Sequence, residues 1–352
     1  MATPPAPAVG VPSSAPTIRI GTRKSNLAMK QTHIVLEGLK RIRPDYNYEI
    51  HSMATLGDKD QNTALYNFGG KGLWTNELEA KLTNKQLDVI VHSLKDMPTV
   101  LPQGCVLGAV TNREDPRDVI IFKAGTESQY KTIADLPAGS VIGTSSVRRM
   151  AQLRRKYPGL EYADTRGNLE TRLRKLDDPE GPYAAIILAA AGLLRMGYDA
   201  RIGQYLASDQ GGILHAVGQG ALGIEARADD DRVLSLLAGL EDRSTRLAVE
   251  AERSLMRTLE GGCSVPIGVE TSWHDEGGAK LKFKATVAHP NGTEAVDGER
   301  WAAVDTPEAA ERLGKELAQE LVEKGAQRIL DEINKARAEH QAAAPEAASV
   351  ST

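Results

Sequence analysis

The chain has 352 residues, with 43 lysines and arginines against 47 aspartates and glutamates, which gives a formal net charge of −4. This length favours two or three domains over a single core. The balanced charge and an aromatic content of 4% argue against a general nucleic-acid binder, which needs basic surface or stacking platforms. No apolar run approaches the roughly 20 residues of a membrane span. Two cysteines exclude a disulfide scaffold and favour a reducing, cytoplasmic location.

The two ends of the chain predict disorder. Residues 1–16 are rich in proline, alanine and serine and carry no charged side chain, so they have little to bury. They also lack the basic start and continuous apolar centre of a secretory signal. Residues 338–352 are similar in character, and we expect both segments to be disordered tails. The folded part is therefore predicted to run from residue 17 to residue 337.

The first part of the folded region alternates apolar strands with amphipathic helices. Ser25 stands at an N-cap position before a helix whose apolar residues recur on one face. The predicted elements are a strand at 17–21, a helix at 25–42, a strand at 48–53, a helix at 73–82 and a strand at 88–92. This order predicts an α/β lobe with a parallel or mixed sheet, which we place at 17–113.

A second region repeats this pattern without repeating the sequence. Its predicted elements are strands at 118–122, 141–143, 160–163 and 184–189, and helices at 146–156 and 168–176. We expect a second α/β lobe at 114–216 and a cleft between the lobes, where ligands bind beyond the carboxyl ends of the strands. The remainder, with helices at 232–238, 243–259 and 307–324 and an alternating segment at 281–288, predicts a small α+β domain.

Cationic side chains recur where these strands end. They are Arg23, Lys95, Arg148, Arg149, Arg166, Arg172 and Arg195. A guanidinium pairs bidentately with carboxylates or phosphates, so this recurrence predicts a site for several such groups. Ser145 and Ser146, which open a helix, would add backbone donors at its N-terminus. The alternative is a solvated helix face, and we prefer that interpretation for Arg154 and Arg155.

Two further residues could carry chemistry. Asp96 follows Lys95 at a strand end and is either an ion-pair or turn-capping residue, or a carboxylate that stabilises a developing cation. Cys263 follows two glycines, so its sulfur is either accessible or, as for most free cysteines, a small buried group. We assign the buried role to Cys105. No cysteine or histidine lies at metal-ligand spacing from Cys263, so no metal is expected.

Nine segments in order resemble the hydroxymethylbilane synthase (porphobilinogen deaminase) family. They read IRIGTRKSNLAMKQ, GGKGLWTNELE, DVIVHSLKDMPT, REDPRDV, IGTSSVRRMAQL, TRGNLETRLRKL, LAAAGLLRMG, AVGQGALGIEAR and LEGGCSVPIG. The resemblance implies two lobes like those of type-2 periplasmic binding proteins, plus a small third domain. It also implies that residues 217–240 return to complete the first lobe, and that 241–337 form the third domain, which carries the cofactor cysteine.

The resemblance implies a transferase of haem and tetrapyrrole biosynthesis. Such an enzyme joins four porphobilinogen molecules head to tail, releases ammonia at each step and yields hydroxymethylbilane. It builds on a dipyrromethane cofactor made from its own substrate and held as a thioether, here on Cys263 by motif position. Asp96 would stabilise the methylene pyrrole cation, and Lys95 would help to manage the leaving amine. The family also suggests a monomer.

The resemblance further assigns residues that bind the acetate and propionate groups of the pyrroles. The arginines are Arg23, Arg148, Arg149, Arg166, Arg172 and Arg195. The assisting residues are Ser25, Gln31, Lys71, Ser93, Thr144, Ser145, Ser146, Asn168 and Gln219. The chain departs from the common pattern at Asn67, Trp74 and Asn76, which weakens the expectation of a basic flap around 60–72.

Two rival functions remain open at this point. A solute-binding module could use the same two-lobed fold, since fold alone does not fix function. A nucleic-acid binder could use the basic stretch 148–156, although the net charge and the few aromatics count against it. We expect porphobilinogen as the binding partner, without nucleic acid or membrane.

Overall fold

The computed structural model describes residues 15–55, 74–126, 128–259, 265–274 and 280–343. Lys71, Cys263 and Asn67 lie outside these ranges. The described strands are β1 (Thr17–Arg23), β2 (Asn47–Met53), β3 (Val89–Ser93), β4 (Cys105–Val110), β5 (Asp118–Phe122), β6 (Val141–Gly143), β7 (Glu161–Ala163), β8 (Ala185–Ala189), β9 (Gln204–Tyr205), β10 (Leu222–Arg227), β11 (Ile267–His274), β12 (Lys280–Ala288) and β13 (Ala295–Ala303). The described α-helices are α1 (Asn26–Ile42), α2 (Asn76–Thr83), α3 (Val147–Lys156), α4 (Leu169–Asp177), α5 (Ala190–Met196), α6 (Asp231–Leu237), α7 (Arg243–Thr258), α8 (Pro307–Glu323) and α9 (Ala326–Ala343).

The first sheet has the strand order β2-β1-β3-β10-β4. Strand β1 is parallel to β2 and β3, whereas β10 is antiparallel to both β3 and β4. Helices α1 and α6 cover one face, where Ile20 and Leu39 belong to the same buried cluster. Helix α2 covers the other face, where Leu82 packs with Ile90. The alternating direction of strand side chains lets one strand serve both layers.

The second sheet has the order β7-β6-β8-β5-β9 and is also mixed. Strand β6 is parallel to β7 and β8, and β5 is antiparallel to β8 and β9. All five residues of β5 are buried because helices cover both faces. Ile120 packs towards Leu153 of α3, whereas Ile121 packs towards Leu173 of α4. Each sheet therefore has two parallel pairings and one strand that runs against its neighbours.

The third domain is an antiparallel meander of β11, β12 and β13. Helices α7 and α8 pack against it, and Phe283, Leu255 and Leu317 belong to one buried cluster. The predicted fold class is confirmed in its α/β architecture, with two lobes built on mixed five-stranded sheets and a small α+β domain. The exact domain boundaries remain predictions.

The chain passes between the first two sheets twice, at 111–117 and at 206–221, and the two passes are in contact. The backbone N–H of Glu114 donates to the carbonyl of Gly220 at 3.1 Å. Arg113 Nε donates to the carbonyl of Gln219 at 2.8 Å. The second pass therefore places Gln219 between the ends of β3 and β5.

The C-terminal helix extends further than the sequence pattern predicts. Helix α9 ends at Ala343, so the prediction that a disordered tail begins at residue 338 is wrong for 338–343. Residues 338–343 read AEHQAA, and alanine, glutamate and glutamine are strong helix formers even where no apolar face is present. Helix α2 begins at Asn76 rather than at residue 73. No helix within the described ranges combines the length and apolar character that a bilayer span requires.

Candidate functional site

A cavity of about 450 Å³ lies between the two sheets, at the ends of their strands. It is lined by twelve of the predicted site residues, which come from both lobes and from the second pass between them. These are Arg23, Ser25, Gln31, Ser93, Lys95, Asp96, Arg149, Arg166, Asn168, Arg172, Arg195 and Gln219. The lining also includes Lys24 and Trp74, which the motif analysis did not assign to the site.

Four of the predicted site residues that the structure describes do not line the cavity. Thr144 accepts from the backbone of Ser146, and Ser146 caps α3 by accepting from the backbone N–H of Arg149. Ser145 Oγ donates to the carbonyl of Thr165 at 2.6 Å. Arg148 is buried behind the cavity wall. These four side chains shape the start of α3, while Arg149 alone of this segment reaches the lining.

The turn after β3 presents Lys95 and Asp96 to the cavity. Residues 94–96 form one 3-10 turn, and its buried Leu94 anchors the turn in the core of the first lobe. Lys95 Nζ lies 3.5 Å from Oε1 of Gln219. Burial lowers the pKa of Lys95 to about 8, and the negative charge of Asp96 opposes that shift. A group with this pKa can exchange a proton near neutral pH.

The start of α1 supplies a second part of the lining. Ser25 caps the helix by accepting from the backbone N–H of Ala28 at 3.3 Å. The Arg23 guanidinium lies 4.0 Å from the centre of the Trp74 ring, a cation–π contact that orients it. Gln31 and Ser93 hydrogen-bond to each other at 2.9 and 3.0 Å, which fixes both side chains beside the turn after β3.

On the second lobe, Asp118 holds two adjacent arginines. Arg149 donates to Oδ1 of Asp118 from Nε at 3.0 Å and from Nη2 at 2.7 Å, and to the carbonyl of Ile187 at 2.8 Å. Arg148 donates to Oδ2 of Asp118 and to the carbonyl of Leu214, each at 2.7 Å. Burial alone would raise the pKa of Asp118, but the two guanidiniums outweigh it and hold that pKa well below its ordinary value.

Two further arginines of the lining, Arg172 and Arg195, donate to backbone carbonyls. Arg172 Nε donates to the carbonyl of Gly167 at 2.8 Å, and Gly167 adopts a φ of 111°, which a residue with a Cβ rarely adopts. Burial, aided by Arg149, lowers the pKa of Arg172 to about 10. Arg195 donates to the carbonyl of Gly220 at 2.6 Å, and burial lowers its pKa also. Asn168 caps α4 and accepts from the backbone of Thr171 at 2.9 Å.

The described lining carries a marked excess of positive charge. Asp96 is the one acidic side chain among the described lining residues. Seven described lining residues are cationic: Arg23, Lys24, Lys95, Arg149, Arg166, Arg172 and Arg195. Burial lowers the pKa of Lys95, Arg172 and Arg195, because these cations have lost part of their hydration. A ligand with several carboxylates would offset this desolvation cost by pairing with them. Within the described residues, no three His, Cys, Asp or Glu side chains form a group that could hold a metal ion.

Comparison with known proteins identifies the family. Residues 18–235 match the family model described as "Porphobilinogen deaminase, dipyromethane cofactor binding domain", and residues 246–323 match "Porphobilinogen deaminase, C-terminal domain". The porphobilinogen deaminase of Neurospora crassa is 55% identical over 92% of this chain and 95% of its own length. That of Saccharomyces cerevisiae is 50% identical over 90% of this chain and 97% of its own length.

Solved structures with a similar arrangement are distant. The periplasmic VFT2 domain of Bordetella pertussis BvgS is 11% identical, covers 65% of this chain and 88% of its own, and has a TM-score of 0.38. The OxyR regulatory domain of Pseudomonas aeruginosa, in its C199D mutant form, is 13% identical with a TM-score of 0.34, covering 64% of this chain and 98% of its own. The family assignment therefore depends on the sequence relatives, and the chain belongs to the porphobilinogen deaminase family of transferases.

Proposed function

We propose that the chain condenses four porphobilinogen molecules head to tail and releases ammonia at each addition. One water then breaks the bond between the product and the primer and becomes the hydroxyl of hydroxymethylbilane, a precursor for tetrapyrrole and haem biosynthesis. The observation that carries this proposal is the cavity whose described lining holds seven cationic side chains and one carboxylate, that of Asp96. Each pyrrole of the substrate bears an acetate and a propionate, so a growing chain accumulates the charge that these cations neutralise. A cavity this cationic would be costly without such a ligand.

Asp96 is the residue that we assign to the charge formed in the reaction. Loss of the aminomethyl nitrogen leaves a methylene pyrrole cation whose charge extends onto the ring nitrogen. A fixed carboxylate that accepts a hydrogen bond from the ring N–H stabilises this cation more than the neutral ground state. Lys95 lies beside Asp96 and, with a pKa of about 8, can exchange a proton with the departing amine.

The residues present fit a dipyrromethane group, which matches the family's cofactor-binding domain. Its carboxylates suit the guanidiniums of the lining, and its ring N–H groups suit Asp96. When bound, this group supplies the nucleophilic pyrrole carbon to which the first substrate unit is joined. The protein's own contribution is to orient the carboxylates and to place Asp96 at the ring nitrogen.

Cys263 is our proposed attachment point, through a thioether, although it lies outside the described residues. The other cysteine offers a matched control, because Cys105 is buried and burial raises its pKa to about 11, which makes it a poor nucleophile. Intact mass spectrometry of the purified chain should show an added mass of two pyrrole units. Cys263→Ser should lose this mass, whereas Cys105→Ser should keep it.

An aldehyde reagent for free pyrroles gives a second readout on the denatured protein. Colour should stay with the polypeptide in the unchanged chain and in Cys105→Ser, and should be absent from Cys263→Ser. A chain that carries no added mass and stays inert after incubation with porphobilinogen would overturn the proposed function.

We also propose that the protein acts as a cytoplasmic monomer with porphobilinogen as its partner, without nucleic acid or membrane. The family resemblance suggests a monomer, and two cysteines without a disulfide scaffold favour a reducing compartment. The net charge of −4 gives no general attraction for nucleic acid. Light scattering during gel filtration and a salt-dependent DNA titration test these points.

A further inference from the structure

Asp118 is a buried carboxylate that no motif assigned to the site. It is the first residue of β5, and its side chain has no exposure to solvent. Its two oxygens accept hydrogen bonds from Arg148, Arg149 and Gln219 at distances from 2.7 to 3.0 Å. One carboxylate therefore holds a cavity-lining guanidinium and a cavity-lining amide at once.

Gln219 extends this group of contacts to the first lobe. Its Nε2 donates to Oδ1 of Asp118 at 2.9 Å and to the carbonyl of Pro116 at 2.7 Å. With both amide hydrogens engaged, Oε1 faces the other way, and Lys95 Nζ lies 3.5 Å from it. The backbone carbonyl of Gln219 accepts from Arg113, which fixes the main chain at this point.

We propose that Asp118 is a positioning residue for the reacting end of the cavity: through Gln219 and Arg149 it fixes the placement and the ionic environment of the Lys95 ammonium. This rests on the proposed function only in taking the turn that holds Lys95 and Asp96 as the place of reaction. Asp118 acts from behind the wall and touches the ligand only through these neighbours.

Two carboxylates and two guanidiniums act on the pKa of Lys95, so removing the charge of Asp118 changes the balance between them. Burial is the largest influence on the pKa of Lys95 and lowers it. Asp96 from the same turn and Asp118 from β5 raise this pKa, whereas Arg149 and Arg148 from α3 lower it, and Gln219 from the second pass is uncharged. Removing one carboxylate therefore leaves two guanidiniums opposed by Asp96 alone, which disfavours the ammonium.

The test is a titration of Lys95 in the full-length purified protein, followed by NMR of lysine amines carrying ¹³C-methyl labels. The Lys95 signal is assigned by its loss in Lys95→Arg. Asp118→Asn keeps the shape of the side chain and removes its charge, and we expect the Lys95 pKa to fall below its value in the unchanged chain. Arg148→Gln removes a charge of opposite sign from the same group, and we expect the Lys95 pKa to rise.

Opposite shifts in the two variants support the proposal, and the alkaline limb of kcat against pH should move in the same directions. The proposal is overturned if the Lys95 pKa in folded Asp118→Asn equals that of the unchanged chain, or if the two variants shift this pKa in the same direction. If Asp118→Asn does not fold, Arg148→Gln decides: a Lys95 pKa that fails to rise overturns the proposal. The titration needs no turnover, so its outcome is separate from the failure of the proposed reaction.

Discussion

Glu252 of α7 joins the third domain to both passes between the lobes. Its carboxylate accepts from Arg113 at 2.7 and 3.1 Å, from Thr271 at 2.7 Å and from the backbone N–H of Gly218 at 2.8 Å. The side chain is fully buried. Glu252→Ala would leave the Arg113 guanidinium buried without its counter-ion. Breaking such a pair on one side costs about 3–5 kcal/mol, a large part of the 5–15 kcal/mol that stabilises a typical domain.

The expected loss can be measured by urea unfolding, followed by circular dichroism and by tryptophan fluorescence. The matched control is Glu316→Ala, which breaks the exposed pair of Glu316 and Arg300 at 3.3 Å and should change the free energy of unfolding by less than about 1 kcal/mol. A loss below about 1 kcal/mol for Glu252→Ala, with an unchanged slope against urea, would refute the assignment of this contact as a principal tie between domains.

The same contact predicts a dependence on acid. Burial raises the pKa of Glu252, but Arg113 and the hydrogen bonds outweigh it, so the pKa in the folded state is below the ordinary value. A group with a depressed folded pKa contributes stability that is present in full above its unfolded pKa and is lost as pH falls through the folded pKa. Glu252→Ala should therefore lose less stability than the unchanged chain when the pH is lowered below about 4.

Three further predictions concern single side chains. Asp96→Asn should reduce kcat roughly 100- to 1000-fold with the fold intact, as measured by ammonia release and circular dichroism, and near-normal release would contradict the assigned role. His215 is buried, its Nε2 has no hydrogen-bond partner among the described residues, and burial lowers its pKa to about 4. The free energy of unfolding should therefore fall by about 3 kcal/mol as pH is lowered from 6.5 to 4, because His215 then takes up a proton more readily in the unfolded state. Urea unfolding of His215→Gln over this range should show a smaller loss, and an equal loss would exclude His215 as the cause. Trp74→Leu removes the ring beneath Arg23 and should raise KM for porphobilinogen by roughly 2- to 30-fold, whereas Trp74→Phe should change it less; equal KM values in both would dismiss the stacking.

Local signals predicted the elements that frame the site. Ser25, Ser146 and Asn168 each cap a helix with a side-chain oxygen, as their position before an amphipathic segment indicates. The strands at 118–122 and 141–143 have the predicted bounds because short apolar runs with polar flanks allow little choice of register. The lining arginines follow from a related pattern, since they lie at strand ends or in the segments and helices that follow them, and these strand ends meet at one cleft.

Local sequence patterns alone did not predict which strands pair when they lie far apart in the chain. Strand β10 lies between β3 and β4, although more than 100 residues separate it from either of them in the chain. Only the resemblance to a known family indicated that this segment returns to the first lobe. Gln219 precedes β10, so its place beside Lys95 depends on that return and could not be derived from the spacing of nearby residues.

Arg148 and Arg149 show why a cluster of cations in a sequence overstates the positive charge that a site offers to a ligand. Successive helix positions differ in direction by about 100°, so Arg149 reaches the cavity while Arg148 faces Leu214 behind it. Two guanidiniums buried this closely would repel each other and lose their hydration, a cost of several kcal/mol per ion. Asp118 offsets that cost from the protein side, and Arg149 still lines the cavity. A cationic cavity of this depth therefore requires an acidic residue behind its wall, and the apolar strand in which Asp118 stands gives no local sign of it.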